Sequence, residues 1–231
     1  MATAGSKVFP RDFLAAIRGL IAVHHSIYRR LPPQGIYFEA LVEEAFKRIK
    51  KPYTPIYPTG RNQPSHDLLV ENTRISLKTE TGYSTHLQRI NITKLCTTEK
   101  EPWSASALIG RTLSHLRRYD VIFMLRAIWD IWPGKPIIIH YQTLEIPVNI
   151  LKLIRTASLK PVGKRRGRQS LGADVFRGGQ KLFHVHFDGS DGKCQVRDLL
   201  VKDCTMLEQW DTEVGWLESH SHLSDFRKTS Q

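Results

Sequence analysis

Two long apolar segments in the middle of the chain limit its possible folds more than any other feature. They run over Asp120–Ile128 and Ile137–Ile146, and both are rich in β-branched residues. Continuous apolar runs of this length are typical of strands that are buried on both faces of a sheet. The chain must therefore supply other elements that cover both sides of a central sheet.

Helical periodicity before these strands predicts that cover. Asp12–Arg30 and Ser104–Arg118 have apolar residues at helical spacing, and Tyr37–Lys50 has the most regular pattern. The apolar stripe of Tyr37–Lys50 consists of Phe38, Leu41, Val42, Ala45, Phe46 and Ile49. We therefore predict an α/β (α+β) fold in which helices flank a mixed central β-sheet.

The charge of the chain indicates a polyanionic partner. Its 231 residues include 34 Lys and Arg against 22 Asp and Glu, a formal net charge of +12. A protein that neutralises phosphates with basic side chains releases condensed counterions and gains affinity. Charge alone does not choose among DNA, RNA, a ribosome and an anionic membrane.

Leader, membrane and disulfide signals are missing from the sequence. Met1–Val8 lacks the basic-then-apolar pattern of a secretory signal, and no apolar run approaches the roughly 20 residues that span a bilayer. The three cysteines, Cys96, Cys194 and Cys204, are far apart and form no CxxC pair. We expect a cytoplasmic protein with reduced thiols, no membrane partner and no small-molecule cofactor.

A short strand pair carries the residues that suggest chemistry. His66–Glu71 and Arg74–Glu80 are predicted to be strands joined by a tight turn. Because alternate residues of a strand share a face, Ser76, Lys78 and Glu80 are expected to point the same way. A lysine in this place, beside an acid of the neighbouring strand, requires a chemical explanation.

Phosphodiester hydrolysis supplies such an explanation. The reaction needs a divalent cation held by carboxylates, an activated water and a positive charge near that water or the phosphate. Asp67 can bind the metal, the carbonyl oxygen of Leu77 can complete its coordination, and Lys78 can orient or help to deprotonate the water. The alternative is a polar surface ribbon whose charged residues form exposed ion pairs of little energetic value.

The chain resembles the PD-(D/E)xK nuclease superfamily, in particular type II restriction endonucleases. The matching residues are Pro64-Ser65-His66-Asp67 and, after eight intervening residues, Ser76-Leu77-Lys78. Gly35–Val42 is similar to the first core helix of that family, and Tyr119–Arg126 to a later strand of its core. The resemblance covers roughly residues 35–146.

This resemblance implies a restriction-endonuclease-like fold, Mg²⁺ as the cofactor and double-stranded DNA as the substrate. It also implies a homodimer, in which two copies of one active site cut a two-fold symmetric sequence, inside a prokaryotic cell. Carried onto this chain, it makes Asp67 a metal ligand and Lys78 the activator of water. Glu39 is then either a direct ligand or a residue that supports the ligands.

The sequence departs from the family at Ser76, where an acid is usual. Serine is a poorer metal ligand than a carboxylate, so we expect another acid to replace it. Glu80 is the first candidate because it shares the strand face of the lysine, and Glu71 on the partner strand is the second. From the helix we choose Glu39, at the border of the apolar stripe, with Glu43 in reserve. These helix acids can also be read as solvated surface residues.

The last third of the chain differs in composition. Within Lys160–Lys181 seven basic residues stand against one acid. We predict two regions, residues 1–150 with the helices and the catalytic core, and residues 151–231 with a basic, strand-rich recognition part packed on the same domain. The predicted DNA contacts are Lys164, Arg165, Arg166, Arg168, Arg177 and Lys181. A solvated basic loop is the alternative for this segment.

The expected function is therefore that of a type II restriction endonuclease, a hydrolase that cuts double-stranded DNA at a short specific sequence with Mg²⁺. Two alternatives remain open. One is a repair or recombination nuclease of the same fold that recognises DNA structure. The other is a DNA- or RNA-binding protein without catalytic activity.

Overall fold

The strands of the chain form two β-sheets, and its helices pack against them. The computed structural model describes residues 6–56, 67–98, 101–163 and 168–216. Within these ranges the helices are α1 (Arg11–Ile27), α2 (Ile36–Arg48), α3 (Ala105–Leu116) and the short α4 (Val148–Leu151). None of them is both long and apolar enough to cross a membrane.

The described residues form eleven strands. In chain order they are β1 (Tyr53–Pro55), β2 (Leu68–Val70), β3 (Thr73–Glu80), β4 (Arg89–Thr97), β5 (Val121–Asp130), β6 (Pro136–Pro147), β7 (Lys160–Pro161), β8 (Leu171–Arg177), β9 (Gln180–Asp188), β10 (Lys193–Leu200) and β11 (Thr205–Trp216). The first sheet has the order β1-β2-β3-β5-β6-β11, and the second has the order β4-β10-β9-β8-β7. The second sheet therefore takes one strand, β4, from the first half of the chain.

One parallel strand pair organises the first sheet. β3 and β5 run parallel, with Ser76 opposite Ile122, Lys78 opposite Met124 and Glu80 opposite Arg126. The connection between them contains β4 and α3, because a parallel pair needs a long crossover. The other pairs of this sheet are antiparallel.

The two apolar segments of the sequence are the central strands β5 and β6, and side chains on both faces of β5 are buried. Phe123 and Leu125 face the first core, which α1 and α2 cover. Ile122 and Met124 face the second core, between the two sheets and α3. The predicted mixed α+β fold with a strand-rich C-terminal part is confirmed.

Aromatic rings fill the first core where the helices meet the sheet. The ring of Phe123 lies 4.4 Å from that of Phe9 and 5.8 Å from that of Phe38, between centroids. Phe13 and Phe46 are in contact at 4.3 Å. Because this cluster joins α2 to β5, it fixes the position of the helix that carries Glu39.

Candidate active site

The β2–β3 hairpin brings Asp67 next to the middle of β3. Leu68 pairs with Ile75, and the backbone N–H of Asp67 donates to the carbonyl oxygen of Ile75 at 2.8 Å. The hairpin turns at Glu71, whose φ of 54° lies in the left-handed region. His66, which begins the predicted strand, lies outside the described residues.

A short chain of hydrogen bonds links Asp67 to Lys78 through Ser76. Oδ2 of Asp67 accepts from the backbone N–H of Leu77 at 2.5 Å and from Oγ of Ser76 at 3.2 Å. The ammonium of Lys78 donates to Oγ of Ser76 at 2.9 Å and to the carbonyl oxygen of Leu77 at 3.0 Å. The structure therefore brings Asp67, Ser76, Leu77 and Lys78 together. Ser76 is buried and bridges the acid and the lysine.

The surroundings of Lys78 shift its pKa in opposite directions. Burial lowers the pKa of Lys78, while the nearby carboxylates of Asp67 and Glu39 raise it. A lysine with a lowered pKa loses its proton more readily than a solvated one. Such a residue is suited to exchange a proton with a water molecule, as well as to attract an anion.

Glu39, in the first turn of α2, faces the same place from the other side. It lines a cleft of about 230 Å³ together with Lys78 and Lys94. Burial raises the pKa of Glu39, and the negative charge of Asp67 raises it further. A carboxylate whose ionised form is disfavoured by burial and by a neighbouring acid is suited to bind a cation. Glu43, the reserve candidate, is not among the residues that line this cleft.

The oxygen donors in this cleft and on the adjoining Asp67 fit a hard cation such as Mg²⁺. The carboxylates of Asp67 and Glu39 and the carbonyl oxygen of Leu77 are all oxygen donors, which Mg²⁺ prefers. Over the part of the chain that the structure describes, no three His, Cys, Asp or Glu side chains cluster closely enough to hold a metal by themselves. Mg²⁺ commonly uses only one or two carboxylates and completes its shell with waters and phosphate oxygens.

Glu80 has a different environment from the one that its strand position suggested. Its Oε2 accepts from Nε of Arg126 at 2.7 Å, and its Oε1 accepts from the backbone and side-chain nitrogens of Asn91 at 3.0 and 3.1 Å. Burial raises the pKa of Glu80, and Arg126 opposes this shift. Both carboxylate oxygens are engaged, so we replace the expectation that Glu80 binds the metal with a structural role.

Arg126 is fully buried and uses all of its N–H groups. Besides Glu80, it donates to Oε1 of Gln142 at 2.6 Å and to the carbonyl oxygens of His86, Leu87 and Arg89. A guanidinium has five N–H donors, and each has a partner here. This network holds the connection between β3 and β4 against the sheet.

Glu71, the second candidate acid, lies at the hairpin turn, 3.6 Å from Nζ of Lys51.

The substitution Arg126→Met is expected to lower the free energy of unfolding by about 3–5 kcal/mol, because it leaves a buried carboxylate without its partner. Three backbone carbonyls lose a donor as well. Urea unfolding followed by circular dichroism measures the change. The control is Arg74→Met, which breaks the exposed ion pair with Asp120 (2.8 Å) and should cost about 1 kcal/mol or less. Equal losses in the two variants would contradict the structural role of this network.

Two residues near the cleft were absent from the sequence prediction. Lys94 lines it from β4, and His115 of α3 lies close enough for Lys78 to act on its charge. Burial lowers the pKa of His115 to about 4, so this side chain is neutral at pH 7. No motif marks either residue, because their approach depends on how β4 and α3 pack against β3.

The predicted DNA contacts are only partly within the described residues. Lys164, Arg165 and Arg166 lie outside them. The guanidinium of Arg168 lies 4.8 Å from the ring centroid of Trp103. Arg177 pairs with Asp203 and Lys181 with Asp174, each at 2.8 Å. Both basic side chains are exposed, and ion pairs at the surface are weak enough to exchange for a phosphate, so DNA contact by these residues stays a prediction.

Comparison with known proteins points to one enzyme family. The family model described as SmaI, type II site-specific deoxyribonuclease, matches residues 2–212. The type II restriction enzyme SmaI of Serratia marcescens is 29% identical over 155 residues, which cover 66% of this chain and 61% of that enzyme. The matched part thus spans about three fifths of the length of that relative. No solved structure matches the chain significantly.

Proposed function

Because the chain belongs to the SmaI family of type II site-specific deoxyribonucleases, we propose that it is a restriction endonuclease. It hydrolyses phosphodiester bonds of double-stranded DNA at a short specific sequence, with Mg²⁺ as the cofactor, in the cytoplasm of a prokaryotic cell. The observation that carries the proposal is the hydrogen-bonded group of Asp67, Ser76 and Lys78, whose lysine lines one cleft with Glu39.

The residues of the cleft divide the chemistry among them. A bound Mg²⁺ supplies a Lewis acid for the phosphate and lowers the pKa of a water molecule. Asp67 and Glu39, with the carbonyl oxygen of Leu77, hold the cation. Lys78 in its neutral form accepts a proton from the attacking water, and the ammonium that results can return this proton later. Ser76 holds the ammonium of Lys78 and the carboxylate of Asp67 in position by hydrogen bonds to its Oγ, at 2.9 and 3.2 Å.

The same arrangement supports membership in the PD-(D/E)xK superfamily. The acid before β2, the lysine on β3 and the acid on the preceding helix occur in the order and spacing that the resemblance requires. Serine in place of the usual acid is accommodated here, because it holds the lysine and the acid by hydrogen bonds. In this proposal Glu39 supplies the second carboxylate for the metal.

The substrate and assembly follow from the same proposal. The net charge of +12 favours a DNA duplex over a neutral substrate. Basic residues of Lys160–Lys181 contact the phosphates, since phosphate contacts position a protein on DNA. Two copies form a homodimer, whose two-fold symmetry would place one active site at each strand of a symmetric site.

Incubation of the purified protein with plasmid DNA and Mg²⁺ tests the proposal. We expect discrete fragments whose ends map to one short sequence, and no cleavage when EDTA replaces Mg²⁺. Nicking that follows DNA structure would instead favour a repair or recombination nuclease. Intact plasmid in every condition, with DNA binding retained, would contradict the proposed activity and favour a binding protein.

A further inference from the structure

The strand β4 is irregular at the point where it passes the cleft. In the pairing with β10, Cys96 stands opposite Cys194, and Ile92 stands opposite Val196. Three residues of β4, Thr93 to Leu95, therefore face the single residue Gln195 of β10. Bulges of this kind redirect side chains and are frequent next to active sites.

The bulge changes where Lys94 points. Ile90 and Ile92 are buried in the second core at alternate positions of β4, so a regular strand would point Lys94 into the same core. Instead Thr93 and Lys94 are both exposed, and Leu95 and Cys96 are both buried. An ammonium among buried apolar side chains costs several kcal/mol, and the bulge avoids this cost.

Lys94 is redirected into the cleft that contains Glu39 and Lys78. All three line the same space of about 230 Å³. Lys94 is near enough to Lys78 for its positive charge to lower the pKa of that residue. Two lysines therefore approach one cleft from strands of different sheets, although like charges repel. A binding partner with negative charge, such as a phosphate, removes this repulsion.

The hydrogen bonds of Lys78 leave a role for a second cation. Lys78 already donates to Oγ of Ser76 and to the carbonyl oxygen of Leu77. An ammonium has three N–H donors, so at most one remains for water or substrate. Lys78 is therefore held by hydrogen bonds to its own strand, while Lys94 is exposed to solvent and lines the same cleft.

We infer that Lys94 is a second cationic catalytic residue, which binds a non-bridging oxygen of the phosphate that is cleaved. This inference rests on the proposed function. During hydrolysis the oxygen of a water bonds to phosphorus while the bond from phosphorus to the sugar oxygen breaks. The water gives one proton to neutral Lys78, and the leaving oxygen takes one proton from a solvent water. Negative charge grows on the non-bridging oxygens before that bond breaks, and the ammonium of Lys94 stabilises it.

The substitution Lys94→Met tests this role because it keeps most of the length of the side chain and removes its charge. The substrate is a short duplex that carries the cut site mapped with the unmodified protein. We expect the single-turnover rate with Mg²⁺ to fall about 100-fold. The affinity for the same duplex, measured with EDTA in place of Mg²⁺, should fall less than about tenfold, as for the loss of one phosphate contact.

Two further variants separate a catalytic role from a general effect of charge or folding. Lys47→Met removes the same charge from the exposed part of α2, where Lys47 lies 3.9 Å from Glu44, and should cleave at the unmodified rate. Lys94→Arg keeps a cation in the cleft and should regain at least about tenfold of the lost rate. The melting temperature of each variant reports on folding.

Four results would overturn the inference. Equal single-turnover rates for Lys94→Met and the unmodified protein would show that Lys94 does not contact the reacting phosphate. Equal losses of cleavage rate in Lys94→Met and Lys47→Met would show that Lys94 acts only through the net charge of the protein. Failure of the unmodified protein to cleave DNA would overturn the proposed function itself, and this inference with it. If Lys94→Met did not fold, Lys94→Arg and Lys94→Gln would be compared, and equal rates would contradict the cationic role.

Discussion

The substitution Asp67→Asn is expected to lower the cleavage rate by more than about 1,000-fold. Asparagine has nearly the same shape, and its side-chain oxygen can still accept from the backbone N–H of Leu77, as Oδ2 of Asp67 does at 2.5 Å. It lacks the negative charge that holds a divalent cation. A metal contributes several kcal/mol of transition-state stabilisation, and each 1.36 kcal/mol changes the rate about tenfold.

Single-turnover cleavage of the mapped duplex at saturating Mg²⁺ measures this effect. The matched control is Asp120→Asn, directly before β5, where this aspartate pairs with Arg74 on the surface. The control should cleave at nearly the unmodified rate. If both proteins are folded and Asp67→Asn cleaves within about tenfold of the control rate, Asp67 is not a catalytic residue.

The second large effect is expected for Lys78→Met, which should slow cleavage by about 1,000-fold or more. The substitution removes both the positive charge and the group that exchanges a proton with water, each worth about 100-fold or more. Lys78→Arg is expected not to restore the rate. A planar guanidinium cannot take the place of an ammonium that donates to Oγ of Ser76 and the carbonyl oxygen of Leu77.

Stability separates this catalytic role from a structural one. Burial lowers the pKa of Lys78, which means that the folded protein holds its charged form at a cost. Lys78→Met should therefore melt at the same temperature as the unmodified protein or higher, while its activity falls. A lower melting temperature that accounts for the lost activity would contradict this assignment. The affinity for DNA with EDTA should change little.

Much of the fold could be predicted because its strongest elements are defined by local patterns. The stripe from Phe38 to Ile49 predicted α2, and the two apolar runs predicted β5 and β6. The alternation along β3 placed Ser76, Lys78 and Glu80 on one face. These patterns depend only on the periods of helices and strands, which a single sequence displays.

The role of Glu80 could not be predicted because it depends on which strand lies next to β3. The parallel register with β5 puts Arg126 directly opposite Glu80 and buries both. A strand sequence shows which residues share a face, but it does not identify the neighbouring strand. Glu80, the acid nearest to Lys78 on β3, is therefore paired with Arg126. Glu39 of helix α2 lines the cleft instead.

Two other features depend on packing rather than on local pattern. The edge strand β11 (Thr205–Trp216) was absent from the prediction, since its polar and apolar residues mix as expected for a strand that is half exposed. The bulge in β4 also has no local marker. It can be seen only from the pairing with β10, about 100 residues later in the chain.

Metal binding by the protein tests the central claim most directly, because it does not depend on knowing the DNA sequence. Mn²⁺, used in place of Mg²⁺, can be titrated into the protein and the free ion followed by electron paramagnetic resonance. We expect Asp67→Asn and Glu39→Gln to lose affinity about tenfold or more, while Glu43→Gln, one helical turn further along α2, binds as the unmodified protein does. Unchanged binding by Asp67→Asn and Glu39→Gln would contradict the proposed metal centre.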